Sequence, residues 1–204
     1  MKKKTAEKLK CRIIDYLLQK HPNIIIGNEI MFGSSRNSAD LLAILNNNII
    51  AIEIKSKDDN LNRLRSQIDE YAKVFDKIII YCSQDKIDDI LKIIAEKPIG
   101  LYCISEKCIT KMQKAMTNNS TCKEEMLASM PASYLKKVFK LNWKLNSDET
   151  RMQLYYKSKK LIHKYLHDFY TEKITPSFKL YIRERGDISV IDDLPILSKE
   201  SRIL

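Results

Sequence analysis

The sequence predicts an α/β fold, in which a mixed β-sheet flanked by helices is followed by an α-helical C-terminal region. Up to about residue 112, β-branched runs alternate with segments of helical period in the order α-β-β-β-α-β-α-β-β. Hydrophobic residues make up 44% of the chain, and 4 glycines and 5 prolines are too few for a turn-rich all-β fold. After about residue 123 the helical period returns and dominates the rest of the chain.

The first part of the chain holds the predicted sheet. A helix over about residues 4–20 ends at His21-Pro22, because the residue before a proline is disfavoured in the α region. Strands are predicted over residues 23–32, 39–45, 49–54, 77–82, 99–104 and 108–112, with helices over 59–75 and 85–96. Asparagine tolerates positive φ, so Asn46-Asn47-Asn48 is expected to join the second and third strands in a tight hairpin.

The second part of the chain is predicted to add helices but no strand to the sheet. Periodicity is lost over residues 114–122, which indicates a linker between a core over 1–113 and a helical region over 114–204. Helices are expected over 124–142, 148–171 and 176–185, followed by an irregular tail after Gly186. This region is the part of the chain that we expect to contact nucleic acid.

The charge balance favours an anionic partner. The chain has 36 basic and 26 acidic residues, a net charge of +10, which suits nucleic acid first and an anionic membrane surface second. The lysine-rich composition of an AT-rich genome is the alternative explanation. Five cysteines without a CxxC pair indicate reduced thiols. With no apolar run of membrane-spanning length and no apolar signal core after Met1, a cytoplasmic protein outside the membrane is expected.

Three charged residues stand at the ends of the predicted hairpin. Asp40 begins one strand, and Glu53 and Lys55 end the other, so the three lie at adjacent strand ends. Period-2 alternation places Glu53 and Lys55 on the same face. The hairpin between them is apolar, and charges at the mouth of a buried hairpin are costly unless they are paired or bound to a cation. Mg²⁺ binds through one or two carboxylates together with water and phosphate, and a nearby lysine can stabilise charge that develops on phosphorus.

Two short motifs around these residues carry a resemblance. Ser38-Ala39-Asp40 and Glu53-Ile54-Lys55-Ser56 resemble the PD-(D/E)XK nucleases, the restriction-endonuclease-like superfamily, although Ala39 replaces the name-giving proline. The resemblance covers about residues 5–112. A small, little-characterised bacterial and mobile-element family with a helical tail shares a longer set of motifs: Arg36-Asn37-Ser38-Ala39-Asp40, Glu53-Ile54-Lys55-Ser56, Leu61-Asn62-Arg63-Leu64, Gln67, Tyr71 and Phe75-Asp76.

The resemblance implies a role for each residue of the site. The implied ligands of Mg²⁺, for which Mn²⁺ would substitute, are Glu29, Asp40, Glu53 and the backbone carbonyl of Ile54. Lys55 would position the attacking water, and Gln67 on the following helix would help to orient the water or the phosphate. Glu29 could equally be an exposed strand residue and Gln67 a solvated polar residue. Tyr71 is predicted to belong to the core.

Basic residues outside the motifs are candidate phosphate contacts, namely Arg36, Arg63, Lys157, Lys159 and Lys160. In the C-terminal helices such residues alternate with Trp143, Tyr155 and Tyr156, a pattern suited to phosphate contacts and base stacking. The alternative is an amphipathic bundle with lysines outside and aromatic residues inside. His163 and His167 have a zinc-binding spacing, but without a third ligand they are predicted to lie on a solvated helix face.

These patterns predict a magnesium-dependent endonuclease or phosphodiesterase that acts on nucleic acid, with DNA favoured over RNA. Two other functions stay open. The chain could be a catalytically inactive nucleic-acid-binding accessory protein of a phage or mobile element, or an RNA-cleaving toxin or defence effector. Since many nucleases of this type act as dimers, a homodimer is also open.

Overall fold

The computed structural model describes residues 2–198, with side chains from residue 5 onward. Its six strands are β1 Ile25–Phe32, β2 Asn37–Leu45, β3 Asn48–Lys55, β4 Lys77–Ser83, β5 Gly100–Ile104 and β6 Ile109–Gln113. Its α-helices are α1 Lys2–Lys20, α2 Leu64–Ala72, α3 Ile87–Ile93, α4 Lys123–Ala128, α5 Ala132–Phe139, α6 Ser147–Met152, α7 Lys159–Glu184 and α8 Leu194–Leu197. Short 3₁₀ turns precede α3 and α8.

The strands form one mixed sheet in the order β1-β2-β3-β4-β5-β6. The pairs β1–β2, β2–β3 and β5–β6 are antiparallel, whereas β3–β4 and β4–β5 are parallel. Each parallel pair is joined by a crossover that contains a helix, α2 in the first and α3 in the second. The predicted α/β fold class, with a mixed sheet flanked by helices, is confirmed.

The predicted hairpin between the second and third strands is confirmed as well. Its two-residue turn consists of Asn46 and Asn47, which have φ values of 48° and 60°. Positive φ at both positions matches the turn type that continues the right-handed twist of the flanking strands. The register that follows pairs Leu41 with Ile52, which brings the far ends of the two strands together.

Helices cover both faces of the sheet. On β3, Ala51 belongs to the hydrophobic cluster shared with α2, α4, α5 and α7, whereas Ile50 and Ile52 belong to the cluster shared with α1 and α8. Because side chains alternate along a strand, Glu53 and Lys55 lie on the same face as Ala51. The charged end of the hairpin therefore faces α2. Each of the two hydrophobic clusters contains side chains that precede residue 113 in the sequence and side chains that follow it.

The helix after β3 begins later than predicted, at Leu64 instead of about residue 59. Asp59 explains the delay. Its Oδ2 accepts hydrogen bonds from the Ser56 N–H at 2.8 Å and from the Ser56 hydroxyl at 2.7 Å. This local bond holds the backbone in a turn that competes with the first turn of a helix. Asp59 is thus a loop residue and does not cap α2.

The C-terminal part is helical in the described chain, but its helix boundaries differ from the prediction. The expected helix over 124–142 is divided into α4 and α5 at Pro131, which breaks the pattern. Residues 153–158 separate α6 from α7, and α7 then runs unbroken through Pro176. The tail after Gly186 is more ordered than predicted, because it contains the 3₁₀ turn Ile191–Asp193 and α8.

Close packing on β1 accounts for the continuous α7. A Cβ atom on Gly27 of β1 would lie 2.9 Å from Ile174 Cγ2, so the helix approaches the strand as closely as a glycine allows. The Thr175 hydroxyl donates a 2.6 Å hydrogen bond to the Thr171 carbonyl, one turn before Pro176. Burial against β1 offsets the cost of the proline. No helix among residues 2–198 is long and apolar enough to cross a membrane.

Candidate active site

Three carboxylate residues lie in one row across β1, β2 and β3. The β2–β3 register, extended by one pair beyond Leu41–Ile52, places Asp40 opposite Glu53. The β1–β2 register places Glu29 opposite Asp40, because the neighbouring pairs are Asn28 with Leu41 and Ile30 with Ala39. The predicted metal ligands Glu29, Asp40 and Glu53 therefore occupy neighbouring positions at one end of the sheet.

Glu53, Lys55 and Gln67 form a ring of hydrogen bonds. The Lys55 ammonium donates to Glu53 Oε1 at 2.7 Å and to Gln67 Oε1 at 2.9 Å. The Gln67 amide Nε2 in turn donates to Glu53 Oε1 at 2.8 Å. Glu53 and Lys55 are both buried, so each charge depends on the other and on the amide for the interactions that water would otherwise supply. Gln67 thus points towards Glu53 and Lys55, as the resemblance implied.

Tyr71 completes this arrangement from the next turn of α2. Its hydroxyl donates to Glu53 Oε2 and lies 3.4 Å from the Ser38 carbonyl. Its ring packs in the core, with its centre 5.3 Å from that of Phe32. Burial, together with the Glu53 carboxylate, raises the pKa of the Tyr71 hydroxyl, so it remains a donor at neutral pH. Tyr71 is a core residue, as predicted, but it also holds Glu53. Its four-residue spacing from Gln67 was the signal for this second role.

Asp40 lies beside the ring and is held by the backbone of β3. Its Oδ2 accepts a 2.8 Å hydrogen bond from the Ile54 N–H. Burial, followed by repulsion from Glu53, raises the pKa of the Asp40 carboxyl to about 6. The charges of Lys10 and Lys55 lower this pKa, but by less than burial and Glu53 raise it, so the ionised form of Asp40 is disfavoured.

Glu29 lies at the edge of the row, and its position depends on a residue that the sequence did not single out. Its φ of 55° lies in the left-handed region, which is costly for a residue other than glycine. Its carboxylate is 3.3 Å from the Lys10 ammonium, which also donates to Asn28 Oδ1 at 2.8 Å. Lysine is almost never fully buried unless it is paired, yet Lys10 is buried, because α1 covers the sheet at this point. The apolar residues next to Lys10 on α1 do not predict that its ammonium contacts β1.

The donor set matches the preferences of Mg²⁺. Asp40 and Glu53 supply two adjacent carboxylates, and the backbone carbonyl of Ile54 lies between Glu53 and Lys55 in the chain. Magnesium needs only one or two protein carboxylates and fills its other positions with water and phosphate. Within residues 5–198, no group of three or more His, Cys, Asp or Glu side chains is arranged to hold a metal. Asp40 and Glu53 alone fit the one or two carboxylates that Mg²⁺ takes from a protein, and they do not form a closed structural site.

The two predicted arginines differ in their relation to the site. Arg63 lies just before α2 and lines a cavity of about 250 Å³ together with Gln67, Tyr71 and Ser38. Arg36 is exposed in the turn before β2, with a φ of 54°. Arg63 therefore lines the same cavity as Gln67 and Tyr71, whereas Arg36 lies four residues before Asp40 on the adjoining turn.

The predicted lysines of the C-terminal region lie towards the other end of the sheet. Lys159 and Lys160 begin α7, and His163 on the next turn bonds to Asp76 at 2.7 Å. Asp76 also accepts a 2.7 Å hydrogen bond from the N–H of Ile49, at the start of β3. Ile49 and Glu53 are separated by four residues, or about 13 Å along a strand. Lys157, Lys159 and Lys160 are therefore not brought together with Asp40 and Glu53.

The histidine pair corrects a prediction. His163 was expected on a solvated helix face, but it is half-buried and paired with Asp76. The hydrogen bond to Asp76 raises the pKa of His163 above its ordinary value. His167 is also half-buried, and its Nε2 has no hydrogen-bond partner within the described part of the chain. The sequence could not predict the pairing of His163 with Asp76, because the two residues are 87 positions apart in the chain.

Comparison with known proteins relates residues 1–198 of the chain to a family of phage proteins. The family model described as bacteriophage P4 protein cII matches residues 1–198. The chain belongs to the bacteriophage P4 cII family. This assignment is consistent with the mobile-element family that the motifs resemble. It leaves the chemistry of the site to be inferred from the residues themselves.

Other comparisons are more distant. The solved structure of SPO1766, a protein of unknown function from Silicibacter pomeroyi, is 11% identical to this cII-family chain, with a TM-score of 0.42. The similarity covers 85% of this chain and 90% of that protein. No curated protein matches the chain.

Proposed function

We propose that this member of the cII family is a metal-dependent nuclease that hydrolyses phosphodiester bonds in DNA. The observation that carries the proposal is the convergence of Asp40, Glu53, Lys55 and Gln67 at one end of the sheet. Glu53, Lys55 and Gln67 are linked by hydrogen bonds of 2.7–2.9 Å, and Asp40 on β2 accepts a 2.8 Å hydrogen bond from the Ile54 N–H of β3. A buried acid–lysine–amide group beside a second carboxylate is costly for folding, which is typical of a functional site.

Asp40 and Glu53 are the proposed ligands of Mg²⁺, or of Mn²⁺ in its place, with help from the Ile54 carbonyl. Glu29 is paired with Lys10 at the edge of the row and is left out of this set. When bound, the metal would polarise the phosphate and lower the pKa of its water. The Ile54 N–H keeps Asp40 Oδ2 in position through a 2.8 Å hydrogen bond. Tyr71 holds the second oxygen of Glu53, so both carboxylates are orientated before substrate arrives.

Lys55 and Gln67 supply the part of the chemistry that the chain performs itself. The Lys55 ammonium is positioned beside Glu53, where it can orient a water molecule or stabilise negative charge on phosphorus. Gln67 accepts a hydrogen bond from Lys55 and donates one to Glu53, so it fixes the direction of the ammonium. Gln67 is thus a positioning residue for Lys55 in this mechanism, and it can also contact the phosphate.

The charge of the chain favours nucleic acid as the substrate, because a net charge of +10 attracts phosphate. Arg63, which lines the cavity beside Gln67, and Arg36 on the neighbouring turn are the proposed backbone contacts near the site. Lys157, Lys159 and Lys160 would extend the contact away from the site, towards the start of β3. DNA is preferred as the substrate and RNA is the alternative.

A second function is favoured by a different observation. Both oxygens of Glu53 are occupied by protein donors, Lys55 and Gln67 on Oε1 and Tyr71 on Oε2. Glu53 is therefore satisfied without a metal, as it would be in a catalytically inactive, nucleic-acid-binding accessory protein of a phage. Under this alternative the chain binds nucleic acid but does not cleave it.

A panel of labelled substrates separates these functions. Single-stranded DNA, duplex DNA and RNA would be incubated with the protein in Mg²⁺, in Mn²⁺ and in EDTA. The proposed nuclease cleaves DNA only when a divalent metal is present. Binding without cleavage in every metal condition would instead support the accessory function, and preferential cleavage of RNA would support an RNA-cleaving effector.

A further inference from the structure

The segment around α6 carries aromatic residues on the outside of the protein. Trp143, in the loop before α6, is 63% exposed, and Tyr155 and Tyr156, after α6, are 45% and 76% exposed. Large aromatic side chains usually contribute to cores or interfaces. An amphipathic bundle with its aromatic residues inside was the alternative left open by the sequence, and it is wrong for these three residues.

The same segment is strongly basic. Residues 136–160 include eight lysines and arginines but only two acidic residues, Asp148 and Glu149, a local net charge of +6. More than half of the net charge of the chain, which is +10, therefore lies in this one segment. Lys140, Lys144, Lys159 and Lys160 are exposed. Basic residues interleaved with exposed aromatic rings provide contacts for both the phosphates and the bases of a nucleic acid.

Both loops are held in place by lysines from neighbouring helices. The Lys136 ammonium donates to the Trp143 carbonyl at 3.1 Å and also to the Leu145 carbonyl. The Lys123 ammonium donates to the Lys157 carbonyl at 3.3 Å and also to the Tyr155 carbonyl. Because the backbone of each loop is already fixed, less ordering is needed when a partner binds.

We propose that this aromatic–basic surface binds single-stranded DNA; it consists of Trp143, Tyr155, Tyr156, Lys140, Lys144, Lys157, Lys159 and Lys160. Stacking on an exposed ring requires an unpaired base, because the bases of a duplex already stack on one another. The six-residue helix α6 is about 9 Å long. Trp143 precedes this helix by four residues and Tyr155 follows it by three, so a strand that contacts both must pass along the length of α6. The choice of DNA as the polymer rests on the proposed function.

A membrane is a poorer match for the same surface. A helix that lies on an anionic bilayer buries a continuous apolar face in it. The sequence of α6 is Ser-Asp-Glu-Thr-Arg-Met, with two acidic residues in its first turn, so it has no such face. The exposed aromatic residues lie instead in the loops on either side of α6, where isolated rings suit individual bases.

Trp143 allows a direct test, because it is the only tryptophan in the chain. Its fluorescence would be titrated in EDTA with oligo(dT) of about 16 nucleotides, the upper site size of a typical single-strand binding fold. Quenching by oligo(dT) that is absent with a duplex, and absent with vesicles of anionic phospholipid, is the expected result. No quenching by oligo(dT), or equal or stronger quenching by the duplex, the vesicles or oligo(rU), would overturn the proposal.

Matched variants separate stacking from folding. The double variant Tyr155→Ser with Tyr156→Ser should bind labelled oligo(dT) about tenfold or more weakly. Trp143→Phe should retain binding, because it keeps a ring for stacking. Ile188→Ser is the control, since Ile188 is 69% exposed and lies outside the aromatic–basic surface, and it should bind as wild type does. Wild-type affinity in the double tyrosine variant would overturn the proposal.

The failure of this surface can be distinguished from the failure of the nuclease. Binding is measured in EDTA and needs no cleavage, whereas the nuclease is tested by cleavage in Mg²⁺. Quenching by oligo(dT) without any cleavage supports DNA binding by the aromatic–basic surface and contradicts the proposed nuclease activity. Cleavage of DNA without quenching contradicts DNA binding by this surface and supports the nuclease activity.

Discussion

The Lys55 ammonium and the Glu53 carboxylate lie 2.7 Å apart, and both side chains are buried on the same face of β3. Removing either partner would leave a buried charge without compensation, so the two are coupled in stability as well as in position. Gln67 contacts both of them, and Tyr71 contacts Glu53 from the opposite side. The site is therefore part of the folded core, and its variants need a stability measurement beside every activity measurement.

Tyr71→Phe tests the hydrogen bond to Glu53 without removing the ring from the core. We expect the free energy of unfolding to fall by about 1.5–3 kcal/mol, the usual contribution of a hydrogen bond to a charged group. Denaturant unfolding of both proteins measures the difference. The control is Tyr156→Phe, since Tyr156 is 76% exposed, and this change should leave the unfolding free energy unchanged. Equal stability of Tyr71→Phe and wild type would show that the hydroxyl does not hold Glu53.

Asp40→Asn should stabilise the protein in EDTA at neutral pH. Burial and repulsion from Glu53 raise the pKa of Asp40 to about 6, so its ionised form opposes folding at pH 7. A carboxyl with a raised pKa contributes stability at low pH that is lost as the pH rises through the folded-state value. An amide keeps the shape without the charge, and a gain of about 1 kcal/mol is expected. Thermal unfolding measures it, and a lower midpoint for the variant would contradict the proposed repulsion.

The pair of His163 and Asp76 predicts a pH dependence of stability. The hydrogen bond to Asp76 raises the pKa of His163, so the charged imidazole stabilises the folded state. This stability is fully present below the ordinary pKa of about 6.5 and is lost as the pH rises through the higher folded-state pKa. In His163→Gln, the free energy of unfolding should not show this decrease as the pH rises. Unfolding curves of both proteins over this pH range measure the effect, and parallel pH profiles would contradict it.

Gly27→Ala tests the contact of α7 with β1, on which the uninterrupted helix depends. The added Cβ would lie 2.9 Å from Ile174 Cγ2 and 3.0 Å from Ile30 Cγ1, so both side chains must move. Overpacking of this kind costs about 1–3 kcal/mol. Gly186→Ala is the matched control, because nothing lies within 4 Å of its added Cβ. If both variants unfold at the same denaturant concentration, the close packing of α7 on β1 is not a source of stability.

The sequence predicted those parts of the fold and site that depend on local patterns. Strand alternation and the asparagine turn were sufficient to place Asp40 beside Glu53, whereas the position of Gln67 was implied by the resemblance. Contacts between distant segments left no comparable signal. The sequence does not distinguish Lys10 from a solvated lysine, because its burial depends on α1 covering the sheet. Nor does the sequence show that α7 continues through Pro176, because this depends on packing against β1.

The most direct test of the proposed nuclease is the single-turnover rate of DNA cleavage in Mg²⁺, measured for wild type, Asp40→Asn and Lys55→Ala. Lys57→Ala is the control, because Lys57 is exposed just beyond β3. Asp40→Asn should abolish cleavage by removing a ligand charge. Lys55→Ala should slow it by about 100-fold or more while Mg²⁺ binding, followed by calorimetry, is largely retained, because the lysine acts on the transition state. Lys57→Ala should cleave as wild type does. Equal cleavage rates in all four proteins, or no metal-dependent cleavage by wild type, would contradict the assignment of this site as a nuclease centre.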